Sequence, residues 1–361
     1  ISFARGAPSA DLLPADAVRE AAERALTDDW KRALSYGTGI GHPELCAWIA
    51  DQHGLDPSQV MVTNGSLEAG ALLFEHLVAP SDRVVVEQPS YDRTLLLLER
   101  IGAERVGVPL EADGIDVDAL DSALGAAPAK LVHLIPNFHN PAGCTLSDEK
   151  RRRVVEIAAR HDCWIFEDDP YGEVGFEGER LATLLSLDGA GRVIHASSFS
   201  KTVSPGVRIG YLAGPADEIK ALAKRANEIY ISPNMLAESI VLELCRSGGL
   251  ARNIELVNAA LKQRRDALVA ALREHVPEAD FVIPAGGYFL WLTLDADVDC
   301  TELLAAAEQE RVVFIPGRDF MLEGGESSLR LSFASTPPDQ IPEGVQRLAR
   351  ALERVRSAAP A

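Results

Sequence analysis

The sequence predicts an α/β fold: a mostly parallel sheet of seven strands covered by helices on both faces, with a second, smaller α+β domain. Three observations carry this. From residue 60, seven short apolar runs alternate with helical stretches. The runs (VMVTN 60–64, RVVVEQ 83–88, ERVGVPL 104–110, LVHLIP 131–136, CWIFEDD 163–169, VIHASS 193–198, IGYLAG 209–214) are apolar on both faces, as strands of a covered parallel sheet are. A chain of 361 residues is long enough for a large core and a second domain.

Composition narrows the function. The formal charge of −19 opposes nucleic-acid binding, which needs a basic face. No apolar run approaches a membrane span and no signal-peptide pattern opens the chain, so a cytoplasmic protein is expected. The five cysteines are scattered and lack a CxxC spacing, and the eight histidines form no HExxH or other ligand spacing, so neither disulfides nor a metal are expected. The chain opens at Ile1 rather than Met, which leaves open whether sequence precedes it.

Residues 1–14 carry Gly and Pro signals and read as an extended arm. A helix follows over Ala15–Thr27, with Asp11 or Ser9 as its upstream cap. In SYGTGIGHPEL (35–45) the third glycine falls one place too early for a dinucleotide-binding G-x-G-x-x-G, and no strand precedes it. After the first strand, Asn64-Gly65-Ser66 opens a helix, whose free N–H groups and dipole suit a phosphate; Ser66 is also an ordinary N-cap residue. After the second comes Tyr91, suited to stacking on a flat ring or to core packing.

After the fourth strand, PNFHNPAG places Asn140 before Pro141, away from helical backbone, with Gly143 permitting a tight turn. His139 beside it is assigned no role beyond packing or hydrogen bonding. The fifth strand runs into IFEDDPYGE, where an acid at a buried strand end, Asp168 or Asp169, needs a cationic partner. Beyond residue 214 a long helical region reaches about residue 275. Strands are expected within 280–294, at VVFIPG and at 328–334, with helices near 301–310 and 338–356, then a short Ala/Pro tail. Arg330 sits inside an apolar strand and must meet an anion, either an internal carboxylate or a ligand.

The stretch between the sixth and seventh strands, SSFSKTVSPGVRIGY (197–211), is the most informative. Pro205 and Gly206 bend the chain between Lys201 and Arg208, and Ser198 and Ser200 lie beside them. An amine among hydroxyls and a guanidinium suits a phosphorylated aldehyde, the Lys forming a Schiff base while Ser and Arg hold the phosphate.

The pattern Ser-x-Ser-Lys then Pro-Gly-x-Arg-x-Gly-Tyr resembles the lysine loop of the class I/II aminotransferases, the fold-type I enzymes that use pyridoxal 5′-phosphate (PLP). Asn-Pro-x-Gly (140–143), Asp-x-x-Tyr (168–171), the phosphate helix and the late Arg330 follow the family's order over nearly the whole chain. The arm and the Asp-Asp-Pro-Tyr run resemble the 2-aminoadipate/multi-substrate group. The resemblance implies Lys201 as the Schiff base and proton shuttle, Asp168 on the pyridine nitrogen, and Tyr171 and Asn140 on the ring oxygen, with Tyr91 stacked on the ring. Gly65, Ser66, Leu67, Ser198, Ser200 and Arg208 would surround the phosphate, joined by Tyr36 from a partner subunit in a homodimer. Leu67 stands where relatives often carry Gln, a change that keeps the backbone donor. Arg330, Asn140 and Gly6 would hold the substrate, and a large domain of residues 36–250 would pair with a small one of 1–35 and 251–361. The implied activity is ping-pong transfer of an amino group from an L-amino acid to a 2-oxo acid. These residues do not fix which Cα bond breaks. A same-fold lyase, synthase or cyclase, or the PLP-binding sensor of a winged-helix transcription regulator, is the alternative.

Overall fold

A computed structural model describes residues 1–358. The large sheet has eight strands: β1 (Val60–Thr63), β2 (Arg83–Gln88), β3 (Glu104–Glu111), β4 (Gly114–Ile115), β5 (Leu131–Leu134), β6 (Trp164–Asp168), β7 (Val193–Ser198) and β8 (Gly210–Ala213). Their spatial order is β1-β8-β7-β6-β5-β2-β3-β4. The seven expected strands are all present. The eighth, β4, is a two-residue hairpin return folded onto β3, made by a turn in which Gly114 takes φ +108. Two residues are too few for a periodic signal to mark them in the sequence.

Pairing is parallel from β3 through β2, β5 and β6 to β7. β8 runs antiparallel between β7 and β1. The C-terminal ends of β1, β2, β5, β6 and β7 therefore share one edge, and β8 begins there. Helices cover both faces, as the doubly apolar strands require. On one face Met61, Val84, Val86, Phe166 and Leu212 pack with the helix Ser66–Leu77. On the other, Val85, Val132, Ile165 and Val193 pack with the helices Val117–Ala126 and Asp148–Arg160.

The helical stretch after β8 is three helices rather than one: Ala216–Tyr230, Met235–Arg246 and Gly249–His275. Positive φ at Ile231 (+69) and Gly248 (+70) ends the first two, because that backbone does not continue a helix. A second sheet follows, with β9 (Phe289–Thr293), β10 (Ile315–Pro316) and β11 (Ser328–Ser332) in the order β10-β11-β9, all antiparallel. The helices Cys300–Gln309 and Ile341–Ala358 lie with it, and the Ala/Pro tail ends outside the described residues. Within 280–294 only the last third is regular strand, preceded by a single bridge between Asp280 and Thr293.

The arm is extended and docked. Phe3 is buried, its N–H donating to Val313 O and its carbonyl accepting from Ser332 N. The helix after it, Ala15–Asp28, is capped by Pro14; neither expected cap is used, since Ser9 and Asp11 bond each other around a short 3-10 turn.

Phe166 links the strand that carries the acidic motif to the helix behind it, edge-on to Phe74 at 5.4 Å. Phe166→Ala is expected to lower unfolding free energy by about 3–5 kcal/mol, read as a reduced urea midpoint with native far-UV dichroism. A loss under about 1 kcal/mol contradicts this packing.

Candidate active site

The shared strand edge opens into a cavity of about 200 Å³. Ser66 and Leu67 reach it from beyond β1, Tyr91 from beyond β2 and Asn140 from beyond β5. Asp168 and Tyr171 come from the end of β6, and Ser198, Ser200, Lys201 and Arg208 from the β7–β8 connection. Residues separated by more than 140 positions meet because parallel strands bring all their C-terminal loops together.

Lys201 is half-buried at the centre of this wall. Its Nζ donates to Gly6 O at 3.1 Å and stands 5.5 and 5.2 Å from the ring centroids of Tyr171 and Tyr288. Burial, reinforced by the cations Arg330 and Arg208, lowers its pKa to about 8. About a tenth of the amine is thus neutral and nucleophilic at pH 7, far more than for an ordinary lysine.

At one end of the cavity, Gly65 (φ +93) precedes Ser66, the first residue of the helix, and no side chain caps its first turn. Ser66 is therefore not the cap; the first-turn amides are left to a ligand or solvent. Arg208 takes left-handed backbone (φ +53) and bonds Asn64 O (3.0 Å) and Pro205 O (3.3 Å). A Cβ at Gly65 would lie 2.4 Å from that guanidinium, and one at Gly210 would lie 2.6 Å from the Gly65–Ser66 backbone. Only glycine lets the loop, the arginine and β8 approach this closely. Ser198 Oγ donates to Ser200 Oγ (2.9 Å), which sets both hydroxyls beside Lys201.

At the other end, Asp168 Oδ1 is buried without a hydrogen-bond partner, while Oδ2 lies 3.6 Å from His133 Nε2. Asp169 points away, its Oδ2 accepting from Asn137 Nδ2 at 2.8 Å, so the structure selects Asp168 as the cavity acid. Tyr171 packs edge-on to Tyr288 and Phe289, and burial raises its pKa well above the ordinary phenol value. Burial likewise raises Tyr91 to about 12. His139 is buried with its Nε2 3.0 Å from Glu87 Oε2, and its Nδ1 accepts from Ala142 N at 3.2 Å, so it packs and hydrogen-bonds within the loop.

Arg330, on β11, is buried between the Phe289 and Phe320 rings (4.3 and 4.7 Å). It donates to Asn140 Oδ1 (2.9 Å) and to Ala4 O (2.8 Å), and its Nε has no partner. Among the described residues no carboxylate pairs with it, so the internal-acid alternative fails. The arm places Gly6 between Lys201 and Phe289, where a Cβ would lie 2.4 Å from the ring.

One expected residue is not brought in. Tyr36 is 84% exposed and does not line the cavity. Its glycine-rich loop is seated on two helices: a Cβ at Gly37 would meet Met235 Sδ at 2.3 Å, and one at Gly39 would meet Ala223 O at 2.0 Å. Close backbone approach, rather than a nucleotide, accounts for these glycines. Two residues escaped the sequence reading. Tyr288 stands over Lys201, and His133 stands behind Asp168. A histidine inside the apolar run LVHLIP was the only signal for the latter.

Residues 1–348 match the family model for aminotransferase class I and II. The chain belongs to that family. It is a PLP-dependent aminotransferase, and its cavity fits the cofactor: an unpartnered buried carboxylate oxygen suits the pyridinium N–H, uncapped helix amides with Arg208 suit a phosphate, and Lys201 suits the aldehyde. This aminotransferase is 32% identical to aromatic-amino-acid aminotransferase 1 of Thermococcus litoralis, over 98% of this chain and 88% of that protein. Its fold superimposes with a TM-score of 0.95 on the alpha-aminoadipate aminotransferase LysN of Thermus thermophilus, solved with N-(5′-phosphopyridoxyl)-L-leucine (32% identity, 99% and 93% coverage). It is also 28% identical to the uncharacterized HTH-type transcriptional regulator YisV of Bacillus subtilis, over 98% of this chain and 74% of the regulator.

In the cofactor-free protein, labelling of Lys201 by an amine-directed reagent is expected to rise with pH around a midpoint near 8. Arg330→Met removes a neighbouring cation, which favours the protonated amine, so the midpoint moves up. A midpoint at the ordinary lysine value in the unsubstituted protein contradicts the site.

Proposed function

We propose that this aminotransferase moves the amino group of an aromatic or 2-aminoadipate-type L-amino acid onto a 2-oxo acid. The observation that carries it is the arrangement around Lys201: a depressed amine between a carboxylate oxygen without a partner, on Asp168, and a buried cation without a carboxylate, Arg330. The two named relatives above, an aromatic and an aminoadipate enzyme, support the substrate class.

The roles follow from chemistry. Asp168 would hold the ring nitrogen protonated, and Asn140 and Tyr171 would serve the ring oxygen. Tyr91 would pack on the ring. Gly65, Ser66, Leu67, Ser198, Ser200 and Arg208 would hold the phosphate end. Arg330 takes the substrate α-carboxylate, a bidentate partner that answers its unmet donors. Bound PLP supplies the electron sink that makes the substrate Cα–H bond acidic. Lys201, its pKa lowered to about 8, would be the base that takes the substrate Cα proton. Tyr171 and Tyr288 keep the amine on a wet-free apolar floor, and Gly6 O gives its N–H bonds an acceptor.

The exposed Tyr36 supports a homodimer in which each subunit lends this phenol to the other's phosphate site. The match to a regulator supports a second reading, a cofactor-binding sensor, for which a basic DNA-binding segment upstream would be the mark.

Subunit mixing tests the dimer. Lys201→Ala is expected to abolish turnover, and Tyr36→Ala to reduce it strongly. Refolding the two variants together creates hybrids with one intact site, so activity returns. No recovery, with hybrids present by mass spectrometry, removes the shared site.

A further inference from the structure

The loop 137–143 carries Asn140, and groups outside the cavity hold its shape. Arg151, on the helix Asp148–Arg160, is fully buried. Its guanidinium bonds Leu146 O (2.8 Å) and Pro136 O (3.0 Å), tying the two ends of the loop together, and Ala182 O (2.9 Å). It also donates to Asn137 Oδ1 at 2.6 Å, while Asn137 Nδ2 donates to Asp169 Oδ2 at 2.8 Å. One amide thus joins a buried cation to a buried carboxylate. Only one orientation of that amide satisfies both.

Between Asn137 and Asn140 stands Phe138 at φ +49, a costly backbone for a bulky residue. Three glycines make room for its ring: Cβ atoms at Gly175, Gly286 and Gly287 would lie 2.9, 2.5 and 2.6 Å from Phe138. Strain of this kind persists only where the surroundings over-determine it. What the loop delivers is Asn140 Oδ1, 2.9 Å from Arg330 Nη1.

We propose that Arg151, Asn137 and Asp169 form a buried clamp that positions Asn140 and, through it, aims Arg330 at the substrate carboxylate. They are positioning residues: none of the three lines the cavity. The Asp169 carboxylate, next in sequence to Asp168, makes the clamp continuous with the strand end that faces the ring. The inference rests on the reading of Arg330 as the carboxylate partner.

A double-mutant cycle on the PLP-loaded enzyme tests it. Asn137→Ala is expected to raise KM for the best amino donor roughly tenfold, the worth of one hydrogen bond to a charged group, with kcat little changed. It also shifts the pH midpoint of the bound cofactor's visible absorption, which reports Asn140 beside the ring and which loss of stability alone leaves in place. In an Asn140→Ala background the same substitution changes neither quantity. Equal effects in both backgrounds overturn the clamp. Where Asn137→Ala yields no folded protein, Asp169→Ala, which removes the acceptor of the Asn137 amide, runs the same cycle with the same deciding outcomes. Arg330→Lys separates the two levels: unchanged KM there defeats the carboxylate reading, whereas a large rise in KM beside an additive cycle defeats the clamp alone.

Discussion

Buried charge without a protein counter-charge is the constraint on which this site depends. Arg330 lies between two phenyl rings and has only an amide oxygen and a main-chain carbonyl for acceptors. Asp168 keeps one oxygen sealed from solvent with nothing donating to it. Unpaired buried ions cost several kcal/mol each, so the fold carries a deficit that an anion at one end and a ring N–H at the other would relieve. Burial also pushes Lys201 toward its neutral form, and the cations Arg330 and Arg208 add to it. Binding and reactivity then share one origin in burial.

The sheet is what makes this affordable to the rest of the molecule. Five parallel strands deliver their last residues to one edge, and the apolar strand interiors behind them supply the stability that the polar edge lacks. The second sheet and the arm complete the enclosure. Arg330 comes from β11, and Gly6 arrives because Phe3 is pinned in the small-sheet core. Sites built on strand ends keep their geometry because the hydrogen-bonded ladder behind them is rigid.

Much of this was legible in the sequence, and the reason is local. Lys201, Asn140 and Asp168 each lie at or shortly after the end of an apolar strand, so strand periodicity announces both the element and the edge it serves. Asp168 and Asp169 could not be separated that way, since adjacent positions differ only in which face they take; the contact of Asp169 with Asn137 decides it. Tyr288 and His133 were missed because their roles come from approach across distant segments, Tyr288 over Lys201 from 87 positions away. The two-residue strand β4 is too short to leave a pattern. Tyr36 was singled out by its motif, and a single chain leaves it exposed.

The central claim is that this cavity exchanges an amino group between substrate and cofactor. The direct measurement is the absorption of the PLP-loaded protein while single L-amino acids are added with no oxo acid present. The account predicts that the yellow absorption bleaches in proportion to sites filled, most readily with aromatic or 2-aminoadipate donors, and returns when a 2-oxo acid is supplied. Absorption that persists through the whole panel, or product formed with the cofactor unchanged, contradicts it.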